Sequence, residues 1–365
     1  MPRADLIRES ERQMVICNSC RYCEGYCAVF PAMELRRTFA SSDLVYLANL
    51  CFDCRDCYYA CQYAPPHEFA VNVPKVFAEL RAETYGDYAW PRILAGLFKR
   101  PGLAVGLVVG ACIAVVLFLV LTLRGQSALF STHIGDGSFY QVVPYAAMVL
   151  PALAVTLYGL VVLMSGTVRF WRNTNSGLAD VIDLRALVRA TQDAFGLRYM
   201  TGGGAGCNYP GAGFSQVRRW LHHLVFYGFL LDLASTTAAA VYDHLLGRAA
   251  PYPLLSLPVL LGTVGGIALL LGSGGLFYLK YRSDKDPAEQ RMLGMDVAFL
   301  AVLFLTALTG LLLLGLRDTP AMGTLLAVHL GVVAALFITA PYGKFVHLFY
   351  RYAALVRNSI EQARN

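Results

Sequence analysis

Six long apolar stretches occupy most of the chain after about residue 100. They lie at about residues 103–123, 144–170, 220–246, 256–281, 295–316 and 322–350. Each is close to or longer than the ~20 apolar residues that a helix needs to cross a bilayer. We expect the longer ones to tilt or to extend into the aqueous layer. The pattern therefore predicts six transmembrane helices, and an even number places both ends of the chain on the same side.

Arginine and lysine are concentrated in alternate loops. The loop at 171–219, after the second stretch, contains Arg172, Arg185, Arg189, Arg198, Arg218 and Arg219. The loops on the opposite side hold only Arg124, Arg248 and Arg317. Because positively charged loops remain in the cytoplasm, we expect both termini to be cytoplasmic in a multi-pass protein of the bacterial inner membrane. The net charge of +6 follows from this topology, so it does not indicate a nucleic-acid partner.

The N-terminal part of the chain is more polar. We expect residues 1–90 to form a cytoplasmic domain and residues 91–365 to form the membrane domain. The first residues lack an apolar segment, so no signal peptide is expected. Apolar positions in the domain do not alternate as they do in β-hairpins, which favours helices. The expected helices are Met33–Phe39, with Asp43–Leu50 capped by Ser42, and Val76–Thr84.

Two cysteine runs carry the chemistry of this domain. The spacing Cys17-x2-Cys20-x2-Cys23-x3-Cys27 recurs as Cys51-x2-Cys54-x2-Cys57-x3-Cys61. This spacing is typical of proteins that bind two [4Fe–4S] clusters, in which the last cysteine of each run ligates the other cluster. The predicted ligands of one cluster are Cys17, Cys20, Cys23 and Cys61, and those of the other are Cys51, Cys54, Cys57 and Cys27.

Zinc and disulfides are the alternatives for these cysteines. Zinc sites usually join two separated Cys-x2-Cys pairs, and four thiolates at this spacing would crowd one tetrahedron. Disulfide frameworks belong to small secreted proteins, whereas this chain is 57% hydrophobic over 365 residues. The spacing therefore favours two iron–sulfur clusters.

Five of the seven histidines lie in or beside the predicted spans. His222 and His223 open the third span at its cytoplasmic end, and His347 lies near the inner end of the sixth. His244 and His329 lie nearer the outer side. His329 and His347 are 18 residues, or five helical turns, apart, so they share one face of the sixth span. Ionisable residues in spans are expensive to bury and are usually functional.

The third and sixth spans run in opposite directions, so their histidines can meet in pairs. His222 or His223 can meet His347 on the inner side, and His244 can meet His329 on the outer side. We expect two bis-histidine haem b sites, with His222 preferred because it lies closer to the helical face of His244. The alternatives are a single haem, or interfacial histidines that bind nothing.

The remaining features favour structural roles. The segment Leu178–Phe195 is predicted to be an amphipathic surface helix. The glycine-rich segment at 201–213 lacks the lysine and the preceding strand of a phosphate-binding loop. Glycines of the fourth span are expected to pack against a neighbouring helix. We expect the residues Cys112, Cys207, His67 and His133 to be structural.

Several segments resemble one known family, the tricarballylate-utilization or citrate-utilization protein B family. They begin at Cys51 (CFDCRDCYYACQYAPPHEFAVNVP), Gly202 (GGGAGCNYP), Arg218 (RRWLHHLVFYGF), Ala250 (APYPLLSLPVLLGTVGG) and Pro341 (PYGKFVHLFYR). The family is regarded as an iron–sulfur and haem membrane protein. All eight cluster cysteines carry over, although Ala28 and Gln62 stand where proline often follows the last cysteine of a run.

The resemblance implies electron transfer from the reduced FAD of a tricarballylate dehydrogenase to the membrane quinone pool. No strand–GxGxxG–helix unit occurs in the sequence, so we expect no substrate-oxidation site of its own and a cytoplasmic flavoprotein as partner. Candidate quinone sites are the loop 247–258 and the turn at Tyr342–Lys344. The alternatives are quinol-driven electron donation to a cytoplasmic reductase, service to a cobalamin-biosynthesis flavoprotein, and a redox-sensing membrane anchor.

The predicted fold class is therefore all-α. A helical, ferredoxin-like domain with two [4Fe–4S] clusters precedes a six-helix transmembrane bundle that binds haem b.

Overall fold

The computed structural model describes residues 3–174 and 183–364. The N-terminal domain is helical. Its helices are α1 (Arg3–Cys20), α2 (Val29–Glu34), α3 (Ser41–Leu50), α4 (Asp56–Tyr59) and α5 (Val73–Tyr88). Helices α1 and α3 both pack against α5, and their apolar faces meet in a core that includes Leu6, Leu44, Phe77 and Leu80.

Six helices in the described part of the chain are long and apolar enough to cross a membrane. They are α6 (Pro101–Arg124), α9 (Tyr145–Asn173), α11 (Val217–His244), α12 (Leu257–Arg282), α13 (Gln290–Gly315) and α14 (Met322–Thr339). The prediction of six spans in an all-α chain is confirmed, and the chain is a multi-pass membrane protein.

The connecting segments contain shorter elements. These are α7 (Ser127–Phe130), α8 (Ser138–Val142), α10 (Leu184–Phe195), α15 (His347–Arg364), and 3₁₀ turns at Arg92–Lys99, Arg198–Met200, Gly202–Gly204, Ala340–Tyr342 and Lys344–Val346. The strands β1 (Cys207–Asn208) and β2 (Phe214–Ser215) pair antiparallel, with Cys207 opposite Ser215. The predicted surface helix began at Leu178, but Leu178 and Val181 lie outside the described residues.

Three details of the predicted cytoplasmic helices were wrong. The first helix ends at Glu34 and does not extend through Phe39. The second is not capped by Ser42: its N-cap is Ala40, whose backbone N–H donates to the Asp43 carboxylate at 3.3 Å. The third is longer than expected, because the Asn72 side chain accepts from the N–H of Lys75 at 3.2 Å and caps an additional turn.

Helices α11 and α12 pack along most of their length. A Cβ added to Gly228 would lie 2.8 Å from the backbone nitrogen of Leu269, and one added to Gly272 would lie 2.8 Å from the Leu221 carbonyl oxygen. The backbones are therefore too close for larger side chains. As predicted, these glycines serve helix–helix packing.

The sixth span ends earlier than the sequence predicts. Helix α14 stops at Thr339, and a new helix, α15, begins at His347. Pro341 lies in the break between them; proline lacks a backbone N–H and disrupts the helix interior. The expectation that His329 and His347 share one face of a continuous helix is therefore wrong.

Helix α15 packs against α3 of the N-terminal domain and against α9 and α10. Glu361 on α15 binds Arg36 at 2.6 Å and Arg357 at 2.9 Å. Asp43 of α3 binds the same two arginines at 2.8 and 3.3 Å. The C-terminal helix therefore contacts the N-terminal domain directly.

Candidate functional site

The two cysteine runs occupy turns that begin where α1 and α3 end. Cys17 and Cys20 lie on the last turn of α1, and Cys51 is the C-cap of α3. Asp53 and Arg55 adopt positive φ angles of 56° and 71° in the loop between α3 and α4. These left-handed residues bend the backbone tightly enough to bring successive cysteines to one centre.

A cavity of about 280 Å³ separates the first run from the end of the second. Its lining includes Cys17, Cys20, Cys23, Cys57 and Cys61. Burial, followed by the nearby thiols of Cys23, Cys61 and Cys20, raises the pKa of Cys17 to about 12. In the described residues no three His, Cys, Asp or Glu side chains gather as the ligands of a single ion do. The thiols instead surround a space wider than one ion, which fits a cluster ligated by deprotonated cysteines.

The other four cysteines gather deeper in the protein. Cys51 and Cys54 are buried, at 8% and 6% exposure. Burial and then the Cys51 thiol raise the pKa of Cys27. Burial and then Cys54, Cys27 and Cys51 raise the pKa of Cys57. The last cysteine of each run thus lies with the first three of the other run, and the cluster ligation that the spacing indicates stays a prediction.

The glycine-rich segment contacts both cysteine runs. Gly202 and Gly203 have positive φ angles of 53° and 71°. A Cβ on Gly203 would lie 3.1 Å from the Gly25 carbonyl oxygen in the first run, and one on Gly202 would meet the Asp56 carboxylate in the second. The Asn208 N–H also donates to Asp56 Oδ1 at 2.7 Å. The sequence alone did not reveal this role; the glycine run was its only signal.

Tyr209 follows this hairpin strand and lies between two arginines. Its ring centroid is 4.5 Å from Cζ of Arg55 and 4.9 Å from Cζ of Arg218. Arg55 lies within the second cysteine run, between Cys54 and Cys57, and Arg218 lies in the first turn of α11. The Tyr209 ring and the two guanidinium groups therefore join the N-terminal domain to the first membrane helix that carries histidines.

The inner histidines meet below the second set of cysteines. The rings of His222 and His347 are 6.4 Å apart between centroids and are inclined by 76°. Nδ1 of His347 lies 2.6 Å from the Lys344 carbonyl oxygen, which leaves Nε2 for another partner. Nδ1 of His222 is buried and has no hydrogen-bond partner in the described structure. Burial lowers the pKa of His347 far below its usual range, which keeps the ring neutral.

His222 and His347 are placed so that they would hold a metal ion, such as a haem iron, between their rings. Two imidazoles that faced each other across one metal ion, each with a metal–nitrogen distance of about 2.0 Å and a ring centre about 1.1 Å further on, would have centroids about 6.2 Å apart. A backbone carbonyl that accepts from the second ring nitrogen is also typical of metal-bound histidine. The neighbouring His223 does not contact His347; it packs between Trp220 and Tyr227 at 5.8 and 5.7 Å.

The outer histidines are not brought together. His244 is exposed, and its Nε2 lies 2.6 Å from the Tyr145 hydroxyl. His329 lies inside the bundle, where its Nδ1 is 2.9 Å from the Thr309 hydroxyl. Each ring therefore has its own partner on a neighbouring helix. The expected outer haem pair is not assembled in this structure.

The turn before His347 carries buried charge. Asp296 on α13 binds Lys280 at 2.5 Å and Lys344 at 2.7 Å. Nearby, the Tyr342 hydroxyl lies 2.6 Å from that of Tyr158 and donates to the Trp90 carbonyl at 2.8 Å. The other candidate quinone region, loop 247–258, is held by Arg317, which donates to the Tyr252 carbonyl at 2.7 Å.

The remaining singled-out residues have local partners. Cys207 is buried and its thiol lies 3.3 Å from the Met200 carbonyl oxygen. His133 contacts Gln141 and the Ala128 carbonyl, each at 3.1 Å. His67 accepts from the Phe69 N–H at 3.0 Å. Cys112 is partly buried within α6.

Comparison with known proteins assigns the whole chain. The family model described as "Citrate utilization protein B" matches residues 96–365, and that described as "Citrate utilization protein B Fer4-like domain" matches residues 10–87. The chain is 45% identical over 357 residues to a protein from Escherichia coli named "Citrate utilization protein B", covering 98% of this chain and 93% of that protein. No solved structure matches.

The Fer4-like domain and the N-terminal cysteines together indicate iron–sulfur clusters and an electron-transfer role. The family predicted from the sequence is confirmed: this chain belongs to the citrate utilization protein B family.

Proposed function

We propose that this chain carries electrons from a cytoplasmic FAD-dependent dehydrogenase, of the tricarballylate type, to the quinone pool of the bacterial inner membrane. The eight cysteines would hold two [4Fe–4S] clusters, and His222 and His347 would hold haem b. These groups supply one-electron carriers, which a protein needs to divide the electron pair of a reduced flavin.

One observation supports this proposal most strongly. Arg351 Nη2 donates to the Cys51 carbonyl oxygen at 2.7 Å, and His347 lies four residues earlier on the same helix. Residues four apart on a helix are neighbours, about 6 Å apart. A single helix face therefore contacts both the second set of cysteines and the histidine pair.

The two sets of cysteines differ in solvent exposure, which supports docking of the electron donor at the first set. Beside the first set, Tyr22 is 68% exposed, whereas Cys51 and Cys54 of the second are buried. A soluble donor can approach the first set from the cytoplasm, and the second set lies between it and the membrane helices. The positive charge of the loop at 171–219 supports a cytoplasmic side for this whole assembly.

The quinone is expected near the inner side. The Tyr342–Lys344 turn directly precedes His347, and it contributes a hydroxyl pair and a buried ammonium group. A quinone needs hydrogen-bond donors to its carbonyl oxygens and a proton supply when it is reduced. The turn therefore combines hydroxyl and ammonium groups, engaged here with the Trp90 carbonyl and with Asp296, with proximity to the histidine pair. In the described structure the outer loop does not adjoin such a pair.

The test is a reconstitution of the full-length chain in detergent. Iron, acid-labile sulfide and haem are counted per chain, and the cofactor spectra are then followed after mixing with a reduced tricarballylate-type dehydrogenase and a water-soluble quinone. We expect reduction of the chain by the dehydrogenase and reoxidation by the quinone. A chain with zinc in place of iron and sulfide, or one that quinone does not reoxidise, would refute the proposal.

A further inference from the structure

Three arginines converge on the loop Cys51–Asp53. Arg81 comes from the cytoplasmic helix α5, Arg218 from the membrane helix α11, and Arg351 from the C-terminal helix α15. Arg81 and Arg351 both donate to the Cys51 carbonyl oxygen, at 3.3 and 2.7 Å. Arg218 donates to the carbonyl oxygens of Phe52 at 3.0 Å and Asp53 at 2.6 Å. Three separate parts of the fold thus deliver positive charge to one loop.

These charges have no carboxylate partner in the described residues. None of the three guanidinium groups lies within 4.0 Å of an Asp or Glu oxygen. Two acidic residues of the same cysteine run lie further away. Asp53 interacts electrostatically with Arg81 and Arg218 without forming an ion pair with either, and Asp56 accepts from the Asn208 N–H at 2.7 Å.

Three buried cations around one acidic residue are costly, because they lose hydration and gain too little opposite charge in return. Backbone carbonyls supply dipoles but no net negative charge. Arg81 is 2% exposed, so water does not compensate it. A cluster held by four thiolates at Cys27, Cys51, Cys54 and Cys57 would supply the further negative charge that these three arginines lack.

The surroundings of the first set of cysteines differ. The cavity bordered by Cys17, Cys20, Cys23 and Cys61 is lined, in the described structure, by apolar, aromatic and amide side chains and by no Asp, Glu, Lys or Arg. The two sets therefore have the same ligands but unequal local charge.

We infer that Arg81, Arg218 and Arg351 raise the reduction potential of the cluster at the second set above that of the first. A nearby positive charge stabilises the reduced cluster, which carries one more electron and is more negative. The single electron then resides preferentially on the membrane-proximal cluster. The inference rests on the proposed function and adds to it the residues that direct electrons towards the histidines.

The experiment is a redox titration of the full-length protein, followed by the EPR signals of the two reduced clusters. Arg351→Gln should lower the potential of one cluster and leave the other unchanged. We expect at least a tenfold change in the distribution of an electron between the clusters, which is about 59 mV for a one-electron couple. Arg351→Lys, which keeps the charge, should restore most of the shift. The signal that moves must be the one that Cys54→Ser removes.

Arg357→Gln is the matched control. Arg357 lies on the same helix and stacks on an aromatic ring, 4.1 Å from the Tyr46 centroid, as Arg351 does on Phe52 at 4.4 Å. It differs because Asp43 and Glu361 neutralise it. Its loss should leave both potentials unchanged.

Iron and sulfide counts separate the possible failures. If Arg351→Gln retains both clusters and neither potential moves, or both move equally, the inference is overturned while the proposed function stands. If Arg351→Gln loses a cluster, Arg218→Lys and Arg218→Gln provide the same comparison from another helix. If the unmodified protein contains no iron or sulfide, the proposed function itself fails.

Discussion

Replacing His222, His347 or His223 by alanine provides a sharp test of the inner histidine pair. The ring centroids of His222 and His347 are 6.4 Å apart. The ring of His223 instead packs against Trp220 and Tyr227. His222→Ala and His347→Ala should each remove a haem ligand. His223→Ala is the matched control, since it changes the adjacent residue on the same helix turn.

The expected effect on haem affinity is large. Loss of a group that only orients a metal ligand typically weakens metal binding 10- to 100-fold. Loss of a ligand should exceed that range, which corresponds to more than about 2.8 kcal/mol. We expect His222→Ala and His347→Ala to be purified with little haem or with a high-spin spectrum. His223→Ala should keep the haem content and low-spin spectrum of the unmodified protein.

Haem per chain, measured with the optical spectrum and EPR, provides the readout. Iron–sulfur content serves as an internal check that each variant is folded. The reasoning is refuted if His223→Ala loses haem while His222→Ala retains it. Because the structure does not assemble the outer pair, His244→Ala and His329→Ala should both retain full haem; a loss in both would restore the two-haem arrangement.

Three further outcomes are expected. Cys54→Ser should remove one cluster and destabilise the N-terminal domain, because a small domain depends on its metal centres. Cys112→Ser should retain both clusters, and an iron and sulfide assay measures the difference. Gly265→Ala should lower the free energy of unfolding by about 1–3 kcal/mol through overpacking, because a Cβ there would lie 2.9 Å from the Gly228 carbonyl oxygen. Gly110→Ala is the control: a Cβ there would have no atom within 4 Å, so thermal unfolding in detergent should be unchanged. Glu361→Gln leaves Asp43 as the one carboxylate that pairs with Arg36 and Arg357 in the described residues. The attachment of the C-terminal helix should weaken by about 1–3 kcal/mol, and limited proteolysis should cleave this helix faster.

Local patterns in the sequence were sufficient for the main chemistry. The first three cysteines of each run have only two residues between neighbours, so their spacing predicts a common centre wherever that short segment is placed. Apolar runs of about 20 residues likewise predict a span, because a helix in lipid must satisfy its own backbone hydrogen bonds. The family and the six spans could therefore be predicted without the structure.

The tertiary structure decided which distant residues meet. Pro341 ends the sixth span before His347, so the ring of His347 is positioned by a separate helix and not by the face it would share with His329. His222 and His223 differ by one residue, a rotation of about 100° around the helix, and only packing selects between them.

The charge around the second cysteine run is also a tertiary property. More than a hundred residues separate Arg81 from Arg218, and Arg218 from Arg351. Nothing in their local sequence indicates that all three contact the same loop. Their convergence depends on how α5, α11 and α15 pack. The sequence alone determined the ligand types and the spans, because those depend on neighbours along the chain; packing alone determined the histidine pair and the arginine charges, because those depend on neighbours in space.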